Sequence, residues 1–161
     1  MKGVILSGGK GTRLRPITHT GPKQLVPVAN KPVLQYAIED LREAGITEIG
    51  VVLGNKGRDD IQEFLGDGSK FGVDITYIIQ GTPLGLAHAA GCAESFVGDD
   101  DFVMYLGDNL LKRGISELVD SFQSGDYEAG ISLQHVTNPE QFGIAYRHDD
   151  GTVQWLVEKT D

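Results

Sequence analysis

Gly3-Val4-Ile5-Leu6-Ser7-Gly8-Gly9-Lys10-Gly11-Thr12-Arg13-Leu14-Arg15-Pro16 is the stretch from which the rest of the chain is read. Its first four residues carry no polar alternation, which predicts a buried strand of the kind found inside parallel sheets. A polar, glycine-rich loop follows. Glycines let a chain turn tightly and bring successive backbone N–H groups up to an anion. Two common glycine loops are excluded by the letters. A P-loop needs its lysine followed by Ser or Thr, and here Lys10 is followed by Gly11. A dinucleotide fingerprint, Gly-x-Gly-x-x-Gly/Ala, is broken by Leu14 in the last place.

Outward from this loop, short apolar runs alternate with helical periodicity. Leu34, Ala37, Ile38 and Leu41 predict a helix with Asn30 as N-cap and Gly45 just past its end. Residues 49–53 read as a second strand. Ile61, Phe64 and Leu65 mark a second helix stopped by Gly66, and residues 73–79 a third strand. Thr82-Pro83 supplies a capping hydroxyl and a proline at the first helical position, predicting a helix through Ala93. Residues 102–106 form a continuous apolar run, as in a strand at the middle of a parallel sheet. Ile115, Leu118, Val119 and Phe122 give a fourth helix. Three further strands are expected at 129–133, 142–146 and 153–157. The fold class is therefore α/β: a Rossmann-like, doubly wound sheet, parallel through its first part and mixed as a whole. Such sheets bind ligands beyond the carboxyl ends of their strands, where strand order reverses. The loops after the first and fourth strands, 7–15 and Gly107-Asp108-Asn109, are expected to meet there.

Bulk properties narrow the function. The 161 residues suit a single domain. No apolar run is long enough to span a bilayer, and the opening residues run into a strand rather than a leader, so the expected compartment is the cytoplasm. A net charge of −9 argues against nucleic-acid binding, which needs a basic face. The basic residues Lys10, Arg13, Arg15 and Lys23 are nevertheless concentrated in one short segment. Cys92 alone builds neither an internal disulfide nor a cysteine-rich zinc site, and is expected to be a buried, inert thiol. His19, His88, His135 and His148 lack metal-ligand spacing. His88 shares its predicted helix with Gly85, which makes it a candidate for lining a pocket there.

Gly8-Gly9-Lys10-Gly11-Thr12-Arg13-Leu14-Arg15-Pro16 followed by Pro22-Lys23 resembles the signature of the sugar-phosphate nucleotidyltransferases, most closely the glucose-1-phosphate thymidylyltransferases. The likeness extends through Gly66-Asp67-Gly68, Gln80, Pro83-Leu84-Gly85-Leu86-Ala87, Leu106-Gly107-Asp108-Asn109, Pro139 with Phe142-Gly143, and Glu158-Lys159. It implies transfer of a nucleotidyl group from dTTP or UTP to glucose 1-phosphate or a similar sugar phosphate, with release of pyrophosphate. It also implies the roles. Arg13 and Lys23 are catalytic, gripping the phosphates and neutralising charge on the α-phosphate. Leu6, Gly8, Gly9, Gly11 and Thr12 belong to the nucleotide site, as do Gln80, Pro83 and Gly85 around the base. Gly143, Glu158 and Lys159 belong to the sugar-phosphate side, and Asp108 holds Mg²⁺. Residues 1–161 then correspond to the nucleotide-binding half plus the start of the sugar-binding half. Members of the family continue further, supply a second metal aspartate and are commonly homo-oligomers, so the chain reads as C-terminally truncated. Thr160 stands where the family usually has proline. A non-catalytic nucleotide-binding or assembly module of the same fold is the alternative.

Overall fold

A computed structural model describes residues 1–9, 11, 14–19 and 21–158. The chain divides into two compact units, Met1–Ser121 and the remainder from Phe122. In the first unit the strands are β1 (Lys2–Ser7), β2 (Pro27–Val28), β3 (Lys31–Pro32), β4 (Glu48–Leu53), β5 (Asp74–Ile79) and β6 (Phe102–Leu106). The helices are α1 (Val33–Glu43), α2 (Arg58–Leu65), α3 (Leu86–Gly91) and α4 (Glu94–Val97), with α5 (Ser116–Ser124) at the division. Four strands form one sheet in the order β5-β4-β1-β6, and all three pairings are parallel. Among the described residues antiparallel pairing is confined to two separate ladders, β2 with β3 and, in the second unit, β7 (Ile144–Arg147) with β8 (Val153–Val157).

Alternation along each strand divides the core between the two faces of the sheet. Ile5, Val51 and Leu53 face Leu34, Ala37, Ile38 and Leu41 of α1 and Ile61 and Leu65 of α2. Val4, Leu6 and Val52 face Ala89, Ala93 and Val97 around α3 and α4. The two faces follow from strand order. The chain winds outward from β1 to β4 to β5 with α1 and α2 on one face, then jumps back past β1 to β6. A right-handed crossover in that reversed direction must lie on the opposite face, where α3 and α4 are found. The packing is close enough to dictate small residues. A Cβ on Gly50 would lie 2.8 Å from the Phe96 ring and 2.9 Å from Ile78.

Several local expectations are corrected. Asn30 does not cap α1, whose N-cap position is Pro32. With Ala29 it forms the turn between β2 and β3, at φ +47° for Ala29 and φ +67° for Asn30. That backbone suits a tight hairpin, and asparagine is among the residues that adopt it. Residues 129–133 form no strand. They pair with no neighbour among the described residues, and Ile131 and Leu133 stay exposed. The apolar run of β6 lies at an edge of the four-stranded sheet rather than in its middle, leaving Phe102 and Met104 nearly half exposed at 46% and 48%. Gly66-Asp67-Gly68 is architectural. It carries the chain from α2 toward β5, with Tyr77 Oη donating to Gly66 O (2.6 Å) and Ser69 N to Asp67 Oδ1 (3.0 Å). Gly68 has φ +91°, and a Cβ there would fall 2.5 Å from Val73 O, so no other residue fits. Among the described residues no helix is long and apolar enough to cross a membrane.

Candidate active site

Strand order reverses at β1, so the segments leaving β1 and β6 run to opposite sides and open a crevice between them. Gly8-Gly9 leaves β1 on one side, and Gly107-Asp108 leaves β6 on the other. Gly107 N donates to Leu6 O at 3.0 Å, prolonging the ladder. A Cβ on Gly107 would meet Ile5 and Leu34 at 3.0 and 3.2 Å. The glycine thus lets the backbone lie on the core and carries Asp108 to the crevice.

Lys23 enters from a short 3-10 turn, Lys23–Leu25, and its Nζ makes an ion pair with Asp108 Oδ2. The same ammonium lies 3.4 Å from where a Cβ on Gly9 would stand. The neighbouring Gln24 is buried, and its Nε2 donates to Gly8 O at 3.2 Å. One turn thereby performs two tasks: Gln24 anchors the glycine loop through its carbonyl, and Lys23 brings a positive charge to it. Gly11 packs against the same turn, with Thr18 Oγ1 donating to its carbonyl at 2.6 Å.

Gln80 follows β5, its N–H donating to Leu53 O at 2.9 Å, and its side chain is buried. The helix expected from Pro83 through Ala93 begins only at Leu86 and breaks after Gly91, α4 resuming at Glu94. The reason lies at Gly85, which has φ +104° and ψ −179°, a conformation open essentially only to glycine and incompatible with a helix. Pro83 and Gly85 consequently belong to a loop beside the crevice. Nothing lies within 4 Å of a Cβ built on Gly85, so the backbone there is open to approach.

These groups line one cleft of ≈ 340 Å³, a size suited to a small molecule. Eight residues singled out from the sequence share it: Leu6, Gly8, Gly9, Lys23, Gln80, Pro83, Gly85 and Asp108. Gly11 stands beside it against Lys23. Thr12, Arg13 and Lys159 lie outside the described residues. Gly143 and Glu158 belong to the second unit, where they are neighbours across the β7–β8 ladder, a Cβ on Gly143 lying 3.7 Å from Glu158 Oε2. No role was expected for the apolar wall, Val52, Leu86, Ala89 and Leu106, although Leu86 and Leu106 stand inside the quoted motifs. Val52 shares the face of Leu6 by alternation, so its signal was the strand period rather than any motif. Gln24 was also missed as a support, and His88, a candidate through its shared helix with Gly85, was not connected to Gln80, because these contacts are made only on folding. Cys92 is half-buried rather than buried.

Among the described residues no group of three or more His, Cys, Asp or Glu is placed to hold a metal. Among the described residues Asp108 is the one carboxylate lining the cleft. Such a donor set does not form a preassembled metal cage. It fits Mg²⁺ arriving with a phosphate ligand, since Mg²⁺ is commonly held by one or two carboxylates together with phosphate oxygens.

Comparison with known proteins agrees with this geometry. The chain is 74% identical over 161 residues to the low-salt glycan biosynthesis nucleotidyltransferase Agl11 of Haloferax volcanii, covering 100% of this chain and 45% of that protein. It is 55% identical over 160 residues to a glucose-1-phosphate thymidylyltransferase of Streptomyces antibioticus, covering 99% of this chain and 45% of that one. A crystal structure from Bacillus anthracis, assigned as a glucose-1-phosphate thymidylyltransferase and holding sucrose, superposes with a TM-score of 0.93 at 39% identity. That match covers 99% of this chain and 65% of the other. The chain thus spans about half the length of the two curated relatives. The nucleotidyl transferase family model matches residues 2–161, nearly the whole of the sequence, and the chain belongs to that family.

Proposed function

We propose that this chain supplies the nucleotide-binding half, and the beginning of the sugar-phosphate side, of an enzyme that makes a nucleoside-diphosphate sugar. A sugar-phosphate oxygen, from glucose 1-phosphate or a close relative, attacks the α-phosphorus of dTTP or UTP. The bond from that phosphorus to the bridging oxygen breaks, and pyrophosphate leaves. The observation that carries this reading is the convergence of Gly8-Gly9, Lys23, Asp108, Gln80 and Gly85 on one cleft. Their chemistry suits phosphates beside the backbone amides and Lys23, and a pyrimidine edge against the Gln80 amide.

Catalysis of this kind is mainly positioning and stabilisation of charge on the phosphoryl oxygens. The glycine-loop backbone cradles the triphosphate. Lys23 neutralises charge growing on the α-phosphate, and Arg13 grips the phosphates with a planar fork that stays charged. Asp108 would hold Mg²⁺, which when bound supplies further neutralisation of phosphate charge. Gly143, Glu158 and Lys159 serve the sugar phosphate, Glu158 accepting from sugar hydroxyls. The cytoplasm, where nucleoside triphosphates are made, is the compartment we assign, and a homo-oligomer the assembly.

The test is magnesium-dependent pyrophosphate release from dTTP or UTP with glucose 1-phosphate, using the protein expressed from its complete gene. Release that requires both substrates is expected. Nucleotide binding without release would favour a non-catalytic module of the same fold.

A further inference from the structure

The amide of Gln80 is held in one orientation. Its Nε2 faces the carbonyl oxygen of Gly85 at 3.4 Å and Nδ1 of His88 at 3.0 Å. A carbonyl oxygen only accepts, so the amide edge turned toward Gly85 must be the NH₂. The His88 nitrogen facing the same NH₂ must then accept as well, which puts the proton of the neutral ring on Nε2. With both hydrogens of the NH₂ directed to Gly85 and His88, the other edge of the amide is committed. Oε1 lies over Gly8 on the cleft floor, 3.6 Å from where a Cβ on that glycine would stand.

We infer that His88 is a positioning residue for base selection: by accepting from Gln80 Nε2 it keeps Gln80 Oε1 turned into the cleft. An acceptor held there matches a pyrimidine edge that donates, the ring N3–H of uracil or thymine. Cytosine presents a bare ring nitrogen at the same position and meets the oxygen acceptor to acceptor. Gly85 O alone gives a weaker hold, because its contact is the longer of the two and occupies one hydrogen. Without an acceptor at residue 88 the amide is freer to turn over and offer NH₂ to the cleft, which suits cytosine. His88 lies on the exposed side of α3, so replacing it leaves the packed core intact. The inference rests on the reading of the cleft as a pyrimidine nucleotide site.

Titration calorimetry with UTP and with CTP, both in the presence of Mg²⁺, tests it on the wild-type protein and on His88→Phe and His88→Gln. Wild type is expected to prefer UTP. In His88→Phe, which cannot accept, the UTP-to-CTP affinity ratio is expected to fall about tenfold, the equivalent of roughly one hydrogen bond. In His88→Gln, whose side-chain oxygen can accept, the ratio is expected to recover. Thermal unfolding of each variant checks that the fold is retained. Equal loss of both nucleotides in folded His88→Phe, an unchanged ratio, or a wild type that binds UTP and CTP alike overturns the role of His88 while leaving the nucleotide site standing. A wild type that binds neither overturns the role and the nucleotide reading together.

Discussion

Lys23 and Asp108 are 85 positions apart in the sequence and form an ion pair in the fold. The proposed function gives each a ligand of the opposite sign, a phosphate for Lys23 and a cation for Asp108. A magnesium–nucleotide complex can replace both halves of the pair at once, whereas either component alone must leave one charge without its partner. Lys23→Ala is therefore expected to slow turnover by ~10²–10³, the usual cost of removing one well-aimed charge or donor from a preorganised site. Arg13→Ala is expected to do the same. Steady-state pyrophosphate release measures both, and near-normal turnover in either variant removes the role given to that residue. The expected residues that line the cleft were legible because their chemistry is local: a glycine loop announces itself in consecutive letters, and Asp108, two residues past an apolar strand, marks a strand end. The pairing of Gln80 with His88 was not, because an amide's orientation depends on which acceptors folding brings beside it.

At the scale of elements, strand and helix periods located the four parallel strands and helices α1 and α2 to within a residue or two, since each is long enough to show its periodicity. Errors fell where a single backbone angle outweighs a pattern. Thr82-Pro83 has the letters of a helix start, yet the conformation of Gly85 delays the helix to Leu86. Residues 129–133 have strand-like letters but lack a partner, and a strand is a property of two segments. Gly50 shows the reverse, a residue with no motif whose size is imposed by packing. Its missing side chain is filled by the Phe96 ring and Ile78, so Gly50→Ala overpacks the face carrying α3 and α4. A loss of about 1–3 kcal/mol in unfolding free energy is expected. Urea unfolding monitored by circular dichroism measures it, and an unchanged midpoint would show that Phe96 can move aside at little cost.

For the whole molecule, the order of strands is what neither motif nor periodicity reveals. The letters of Phe102–Leu106 describe how deeply a strand expects to be buried. They do not say how many neighbours it has, and in the described sheet β6 has only β1. Its other margin pairs with no strand of the described sheet, and β6 carries Phe102 and Met104 but no lysine or proline to discourage pairing. An unpaired strand margin is a template on which further chains can lay down strands of their own. Residues 1–161 in isolation should accordingly stick to one another despite the repulsion of nine surplus negative charges, and more so as added salt screens that repulsion. Light scattering across a range of protein and salt concentrations would register this as growing particle mass. Met104→Lys, which sets a charge on that margin, should hold the particles small.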